Sequence, residues 1–174
     1  MGIVIVEGCD ASGKSSLIEQ LRLESNRYFW VLRGSGPPKT YDEIDEAISW
    51  ITRSAHSGPQ IICDRHPLIS EPIYGMTLRG RNLLEGHYSE ADIRAHLLDS
   101  VDRIIYCRPP LEEICKKVGH QAQLKGVIDN LERLVKVYDQ SMQFLKEEFG
   151  MHVLTYDYTQ PWAIGLEALF FGRI

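Results

Sequence analysis

A run of β-branched residues, Ile3-Val4-Ile5-Val6, passes almost directly into Gly8-Cys9-Asp10-Ala11-Ser12-Gly13-Lys14-Ser15. No other feature restricts the folding of this chain as much. The run is apolar at every position, the pattern of a central strand covered on both faces of a parallel sheet. The segment after Glu7 matches G-x-x-x-x-G-K-[ST] at each fixed position, and Leu17, Ile18 and Leu21 then mark one face of a helix. Strand, glycine loop and helix in this order make a cradle for phosphate. The glycines let backbone N–H groups close around an anion, and the helix N-terminus adds partial positive charge. Gly8, Asp10, Ala11, Ser12, Gly13, Lys14, Ser15 and Ser16 are therefore the candidate contacts to a nucleotide's phosphates. Lys14 has the reach for β- and γ-phosphates, and the Ser15 hydroxyl suits Mg²⁺.

Strand-like and helix-like segments alternate along the rest of the chain, which implies a parallel sheet covered by helices. Further strands are expected at 28–32, 61–63, 103–107 and 152–156. Ile44, Ala47, Ile48 and Ile51 mark a helical face, with Thr40 and Glu43 at capping-box spacing before it. A helix is expected around Glu71 to Leu78, one opened by Ser89 and Asp92, and one after Pro110 through Lys117. A long helix follows through Leu131, Leu134, Tyr138, Met142 and Leu145, and a closing one from Trp162 to Phe170. Residues 116–127, with Gly119, His120, Gln121 and Gly126, have lid character. The fold class predicted is α/β, a three-layer arrangement with a five-stranded parallel sheet flanked by helices and a short lid, in one domain over 1–174. Trp30 and Trp50 are assigned to core or helix packing.

Composition narrows the function classes. A net charge of -5 over 174 residues argues against a nucleic-acid polymer as partner. No stretch approaches the roughly 20 apolar residues that cross a bilayer. Cys9, Cys63, Cys107 and Cys115 have neither metal-ligand spacing nor a CxxC pair, and read as reduced thiols of a cytoplasmic protein. The Asn-Lys-x-Asp element of guanine-selective GTPases is absent from the sequence.

Asp64-Arg65 ends the third expected strand. Ligands of parallel α/β sheets bind at the carboxyl ends of the strands, so this pair faces the crevice into which the glycine loop opens. Asp64 can hold Mg²⁺ or help activate an acceptor oxygen, and Arg65 can clamp a phosphate bidentately. A structural Asp–Arg pair is the plain alternative.

Val6-Glu7-Gly8-Cys9-Asp10-Ala11-Ser12-Gly13-Lys14-Ser15 resembles the opening of thymidylate kinases, E-G-x-D-x-x-G-K-[ST]. Asp64-Arg65-His66, with Ser70 and Tyr74 beyond, resembles that family's D-R-Y/H element, and Arg33 resembles the arginine of its R-x-P segment. Tyr106 to Glu112 is similar to the strand-four ending of thymidylate kinases and deoxynucleoside kinases alike. Arg133 and Tyr138 fall where the family carries R-x-x-x-Y, with one extra residue between them here. The short length and unusual middle section are more like a phage-type deoxynucleotide kinase. The resemblance implies transfer of the γ-phosphate of ATP, with Mg²⁺, to a small deoxynucleoside monophosphate, in a homodimer packed through helices. It places Asp10 near the acceptor sugar or the metal, beside Lys14, Asp64 and Arg65 as the catalytic group. Arg33 and Arg65 would hold the acceptor's phosphate and Tyr74 its sugar or base, with Arg79 and Arg81 near base or phosphate. Two alternatives stay open: a deoxynucleoside kinase acting on a 5′-hydroxyl, and a nucleotide-binding switch module without transfer activity.

Some thymidylate kinases carry an arginine directly after the loop aspartate, where this chain has Ala11. Charge for the transferring group must then come from elsewhere. Lysines at the lid, Lys117 and Lys125, are the favoured source, and Arg108 at the end of strand four is the other. Residues 157–161, with Thr159 and Gln160, are the expected contact to the donor base.

Overall fold

The computed structural model describes residues 2–26, 28–34, 36–57, 60–118, 126–161 and 166–172. Five strands form one sheet: β1 (Ile3–Glu7), β2 (Phe29–Arg33), β3 (Gln60–Asp64), β4 (Val101–Cys107) and β5 (Val153–Tyr156). Their order is β2-β3-β1-β4-β5 and every neighbouring pair is parallel. The glycine-loop strand is therefore central, with Val4 paired to Ile62 on one side and to Arg103 on the other.

Alternation along β1 builds both cores at once. Ile3 and Ile5 point into one cluster and Val4 and Val6 into the other. The first cluster lies under α2 (Tyr41–Ser57), α3 (Pro67–Tyr74), α4 (Glu90–Ser100), α5 (Leu111–Val118) and α6 (Leu131–Glu147). The second lies under α1 (Lys14–Glu24) and α7 (Leu166–Phe171), where Leu17, Ile18 and Leu21 meet Leu169 and Phe170. All four apolar side chains of β1 are at most 1% exposed, each worth about 1.5–3 kcal/mol of burial. This makes β1 the most firmly held element, and the loop that follows it inherits a fixed starting point. The arrangement is the three-layer α/β fold that the sequence predicts.

Local chemistry explains the element ends. Ser89 and Asp92 form a reciprocal capping box at α4. At α2 only half of the expected box exists: Thr40 accepts from the Glu43 N–H, while Glu43 accepts from the N–H of Lys39 instead of Thr40. The helix expected from Glu71 begins at Pro67, with His66 as its N-cap. Pro67 stands at the first helical position, where an N–H has no partner to lose, while Pro72 lies inside the helix and gives up one backbone bond. Directly after α3 the chain widens into a π-helical turn, Gly75–Arg79. Lys125 and most of the expected lid lie outside the described residues, as do residues 162–165 of the closing helix. The described helices include none long and apolar enough to cross a membrane.

Candidate active site

The glycine loop spans the carboxyl end of β1 and the start of α1. Gly8 adopts φ 142 and Gly13 φ 94. A Cβ on Gly8 would lie 2.6 Å from the Cys107 carbonyl oxygen, so strand β4 itself forbids a side chain there. Ala11 takes a left-handed φ of 61 without being glycine, a conformation that costs about 1–3 kcal/mol where the surroundings impose it. No side chain caps α1 and no acidic residue occupies its first turn. Its N-terminal N–H groups and dipole are thus directed at the loop interior, as anion binding requires.

Lys14 is 6% exposed and its Nζ donates to the carbonyl oxygens of Gly8 and Cys9 at 3.0 and 2.7 Å. Burial, and then the nearby Arg65 guanidinium, lower the pKa of its ammonium from the ordinary value, with Asp64 and Asp10 opposing them. Burial pushes the Cys9 thiol up to about 11, so it acts as a small neutral wall group. Ser15 Oγ donates to Asp64 Oδ2 at 3.4 Å, and Arg33 Nε is 3.4 Å from the same oxygen. A hydroxyl and a carboxylate this close form a hard-oxygen pair that suits Mg²⁺.

Arg65 links this loop to a cavity beside it. Its φ is 73, again left-handed in a non-glycine residue. Its Nη2 donates to Asp10 Oδ1 at 2.5 Å and to the Tyr74 hydroxyl at 2.8 Å. Asp10 Oδ2 and Arg65 Nε are buried without a hydrogen-bond partner among the described residues. Such orphans are rare in folded proteins, and both belong to residues lining the cavity. The cavity holds about 840 Å³ between α2 and α3, over the ends of β2 and β3. Leu32, Ile44, Ala47 and Ile51 give it an apolar side, while Arg33, Asp64, Arg65, Glu71 and Arg79 supply charge.

Beneath both parts sits Glu7, fully buried, accepting from the His66 N–H at 2.7 Å and the Tyr138 hydroxyl at 3.2 Å. Burial raises its pKa to about 7. His66 is buried too, and burial together with the neighbouring His96 lowers its pKa to about 3.

The geometry brings Lys14, Ser15, Asp10, Asp64, Arg65, Arg33 and Tyr74 together. Arg79 lines the same cavity; Arg81 and Arg133 are exposed, and neither is among its lining residues. Ser12 is buried inside the loop and Ser16 is exposed on α1. Lys117 stands at the end of α5 with Nζ 3.6 Å from the centre of the Tyr158 ring, and that ring packs on Gly13. The segment after β5 thus covers the loop through Tyr158, a residue the sequence reading passed over in favour of Thr159 and Gln160. Those two are taken up locally, with Thr159 held by Asp157 Oδ1 at 2.8 Å and Gln160 bonded to Thr159.

Two expectations are corrected. Arg108 is not directed at the loop: its Nε and Nη2 donate to Asp139 at 2.8 and 3.0 Å, and its Nη1 to the Pro109 carbonyl at 2.7 Å. A guanidinium spent on three sides has little left for a phosphate. Trp30 and Trp50 are not core residues; they are 46% and 40% exposed, and Trp50 lines the cavity. Its position on the same helical stripe as Ala47 and Ile51 was the available signal.

Neither a protein-family model nor a curated protein sequence matches the chain. Solved structures do match. The YorR protein of Bacillus subtilis, crystallised with phosphorylated GDP, superposes with a TM-score of 0.65 at 18% identity, over 92% of this chain and 88% of that one. Deoxyadenosine kinase from M. mycoides, with dCMP and dCDP bound, gives 0.57 at 12% identity over 91% and 90%. Thymidylate kinase from Candida albicans gives 0.56 at 15% identity over 97% and 87%. The chain shares its fold with a nucleoside kinase and a nucleotide kinase. The shared fold accounts for the shape of the site, and the chemistry at Arg65 and Asp10 belongs to this chain's own residues.

Proposed function

We propose that this protein is a deoxynucleoside monophosphate kinase, transferring the γ-phosphate of ATP to a deoxynucleoside monophosphate to give the diphosphate. One observation carries the reading: a half-buried arginine, Arg65, stands between phosphate loop and cavity with its buried Nε lacking a partner among the described residues. A cation at that point suits an acceptor that already bears phosphate. An acceptor that is only a hydroxyl needs a base there instead.

In this reading ATP lies across Gly8 to Ser16, with Lys14 drawn from its loop carbonyls onto the β- and γ-phosphates. Ser15 and Asp64 would hold Mg²⁺, which neutralises charge on those phosphates when bound. Arg65 and Arg33 hold the acceptor's phosphate, Tyr74 its sugar, and the apolar side with Trp50 its base. An oxygen of the acceptor phosphate attacks the γ-phosphorus, the bond to the β,γ-bridging oxygen breaks, and ADP leaves. Lys117 and Lys125 supply the further positive charge that Ala11 does not. The working particle is a homodimer packed through helices.

A second reading, a deoxynucleoside kinase, is favoured by Asp10 Oδ2, a buried carboxylate oxygen available to take a hydroxyl's proton. ADP release measured with ATP and a panel of nucleosides and monophosphates separates the two. Stimulation by monophosphates alone is expected. Stimulation by nucleosides alone transfers the assignment to the second reading, and no stimulation above the rate with water removes both.

A further inference from the structure

One wall of the cavity contains an ion pair that the transfer chemistry leaves unused. Glu71, on α3, is 3% exposed, and both its carboxylate oxygens accept from Arg79 Nη2 at 2.5 Å. Its Oε1 also accepts from the Leu83 N–H at 3.1 Å. The partners are eight residues apart, and the π-helical turn between them returns Arg79 onto α3. Single π turns of this kind collect at functional positions. Gly75 makes the approach possible: a Cβ there would lie 2.8 Å from Glu71 Oε1, 3.1 Å from Arg79 Nη2 and 2.5 Å from the Arg81 carbonyl oxygen. Any side chain at residue 75 would push into the pair or the backbone beside it.

The two partners are not equivalent. The Glu71 side chain is 2% exposed and that of Arg79 is 27%. Glu71 is the anchor and Arg79 is the face presented to the cavity. One guanidinium nitrogen is consumed by the anchor, while Nε and Nη1 have no protein acceptor among the described residues. Position indicates what these donors face. Arg33 and Arg65, each paired with a carboxylate as Arg79 is, stand at the strand ends beside the phosphate loop. Arg79 stands on the π turn beyond α3, and its remaining donors are left for the part of the acceptor beyond its phosphate, a neutral, polar ring.

We propose that Glu71 is a positioning residue that locks Arg79 in one orientation, so that the remaining guanidinium donors read the edge of the acceptor's base. This rests on the monophosphate-kinase reading above. A guanidinium has donors only, so the locked group favours bases with a carbonyl at that edge over bases with an amino group. A free arginine would swing to satisfy either.

The test is steady-state kinetics of the full chain with ATP and the four common deoxynucleoside monophosphates, for wild type, Glu71→Gln, Arg79→Lys, Arg79→Ala and Glu71→Gln/Arg79→Ala. Glu71→Gln is expected to raise the acceptor KM about tenfold, the scale of a lost hydrogen bond to a charged group. Its kcat and KM for ATP stay within about twofold, and the preference for carbonyl over amino bases narrows. Arg79→Lys keeps the ion pair but loses the planar fork, and loses the same base preference. In an Arg79→Ala background, Glu71→Gln adds nothing to the acceptor KM. A Glu71→Gln enzyme with a lower Tm but unchanged acceptor KM and base ranking overturns the proposal and leaves the kinase reading intact. Should that variant not fold, an Arg79→Lys enzyme with wild-type base ranking overturns it equally. If wild type accepts no monophosphate, this proposal falls together with the reading it rests on.

Discussion

The phosphate loop and the cavity meet at Asp64 and Arg65 but are made of different material. The loop is mostly backbone: positive φ at Gly8, Ala11 and Gly13, an uncapped helix start, and one lysine. The cavity is made of side chains drawn from two helices, two strand ends and a π turn. A backbone site needs consecutive residues and leaves a motif in the sequence. A side-chain site needs only convergence in space, and its members are scattered from Asp10 to Arg79. The same division predicts separable kinetics. Loop changes should act on transfer, whichever acceptor is present, and cavity changes on acceptor binding.

Lys14→Ala is the strongest test of that division. Loss of the one buried cation at the phosphates is expected to lower kcat about 10³-fold with the acceptor KM near its wild-type value. Thermal melting should shift little, because Lys14 bonds only to loop carbonyls. A comparable rise in acceptor KM would show the two parts to be one energetic unit. Next in size, Arg65→Ala is expected to raise the acceptor KM about 100-fold and leave the KM for ATP within a few-fold. This variant also strands Asp10, so Arg65→Lys, which keeps the charge, should recover part of the loss. Unchanged acceptor kinetics in both would remove Arg65 from the site.

How much was readable follows the same line. The strand, the loop and the order of layers were legible because β1 is apolar at every position and the loop's spacing is fixed by phosphate geometry. Asp64 and Arg65 were legible from a topological rule, since a strand end in a parallel sheet faces the crevice. Arg108 obeys the same rule and misleads, because its partner Asp139 lies on α6, 31 residues away, and no local pattern announces it. Glu71 was passed over because a glutamate at the start of an expected helix looks like a solvated first-turn residue. Its burial depends on Gly75 and Arg79 together, a tertiary fact. Trp50 shows the converse: the helical stripe was read, but whether a stripe ends in core or cavity depends on what stands opposite.

Trp50 also supplies a smaller test. It is half-exposed, so its contribution to a bound base is an aromatic contact rather than a full burial. Trp50→Ala is expected to raise the acceptor KM about threefold to tenfold with kcat preserved, the scale of one aromatic contact. No change would confine the base to the Arg79 side of the cavity.

The smallest effect concerns the floor that both parts share. Glu7 precedes Gly8 and His66 follows Arg65, and the His66 N–H donates to Glu7. Their titrations pull stability in opposite directions. Glu7 titrates near 7 when folded against an ordinary 4.5, so between those values the native state keeps a proton that the unfolded chain has released. Stability from Glu7 is therefore full below 4.5 and is lost as pH rises to 7. His66 titrates near 3 when folded against an ordinary 6.5, so there the unfolded chain binds the extra proton and stability rises with pH. Between pH 4.5 and 6.5 the two slopes oppose each other and the wild-type melting temperature should be nearly flat. Glu7→Gln leaves the His66 slope alone, and its Tm should climb across that window. His66→Asn keeps a capping side chain for α3, and its Tm should fall instead. Melting curves for the three proteins at closely spaced pH values decide the matter. Parallel curves would mean that burial shifts neither group.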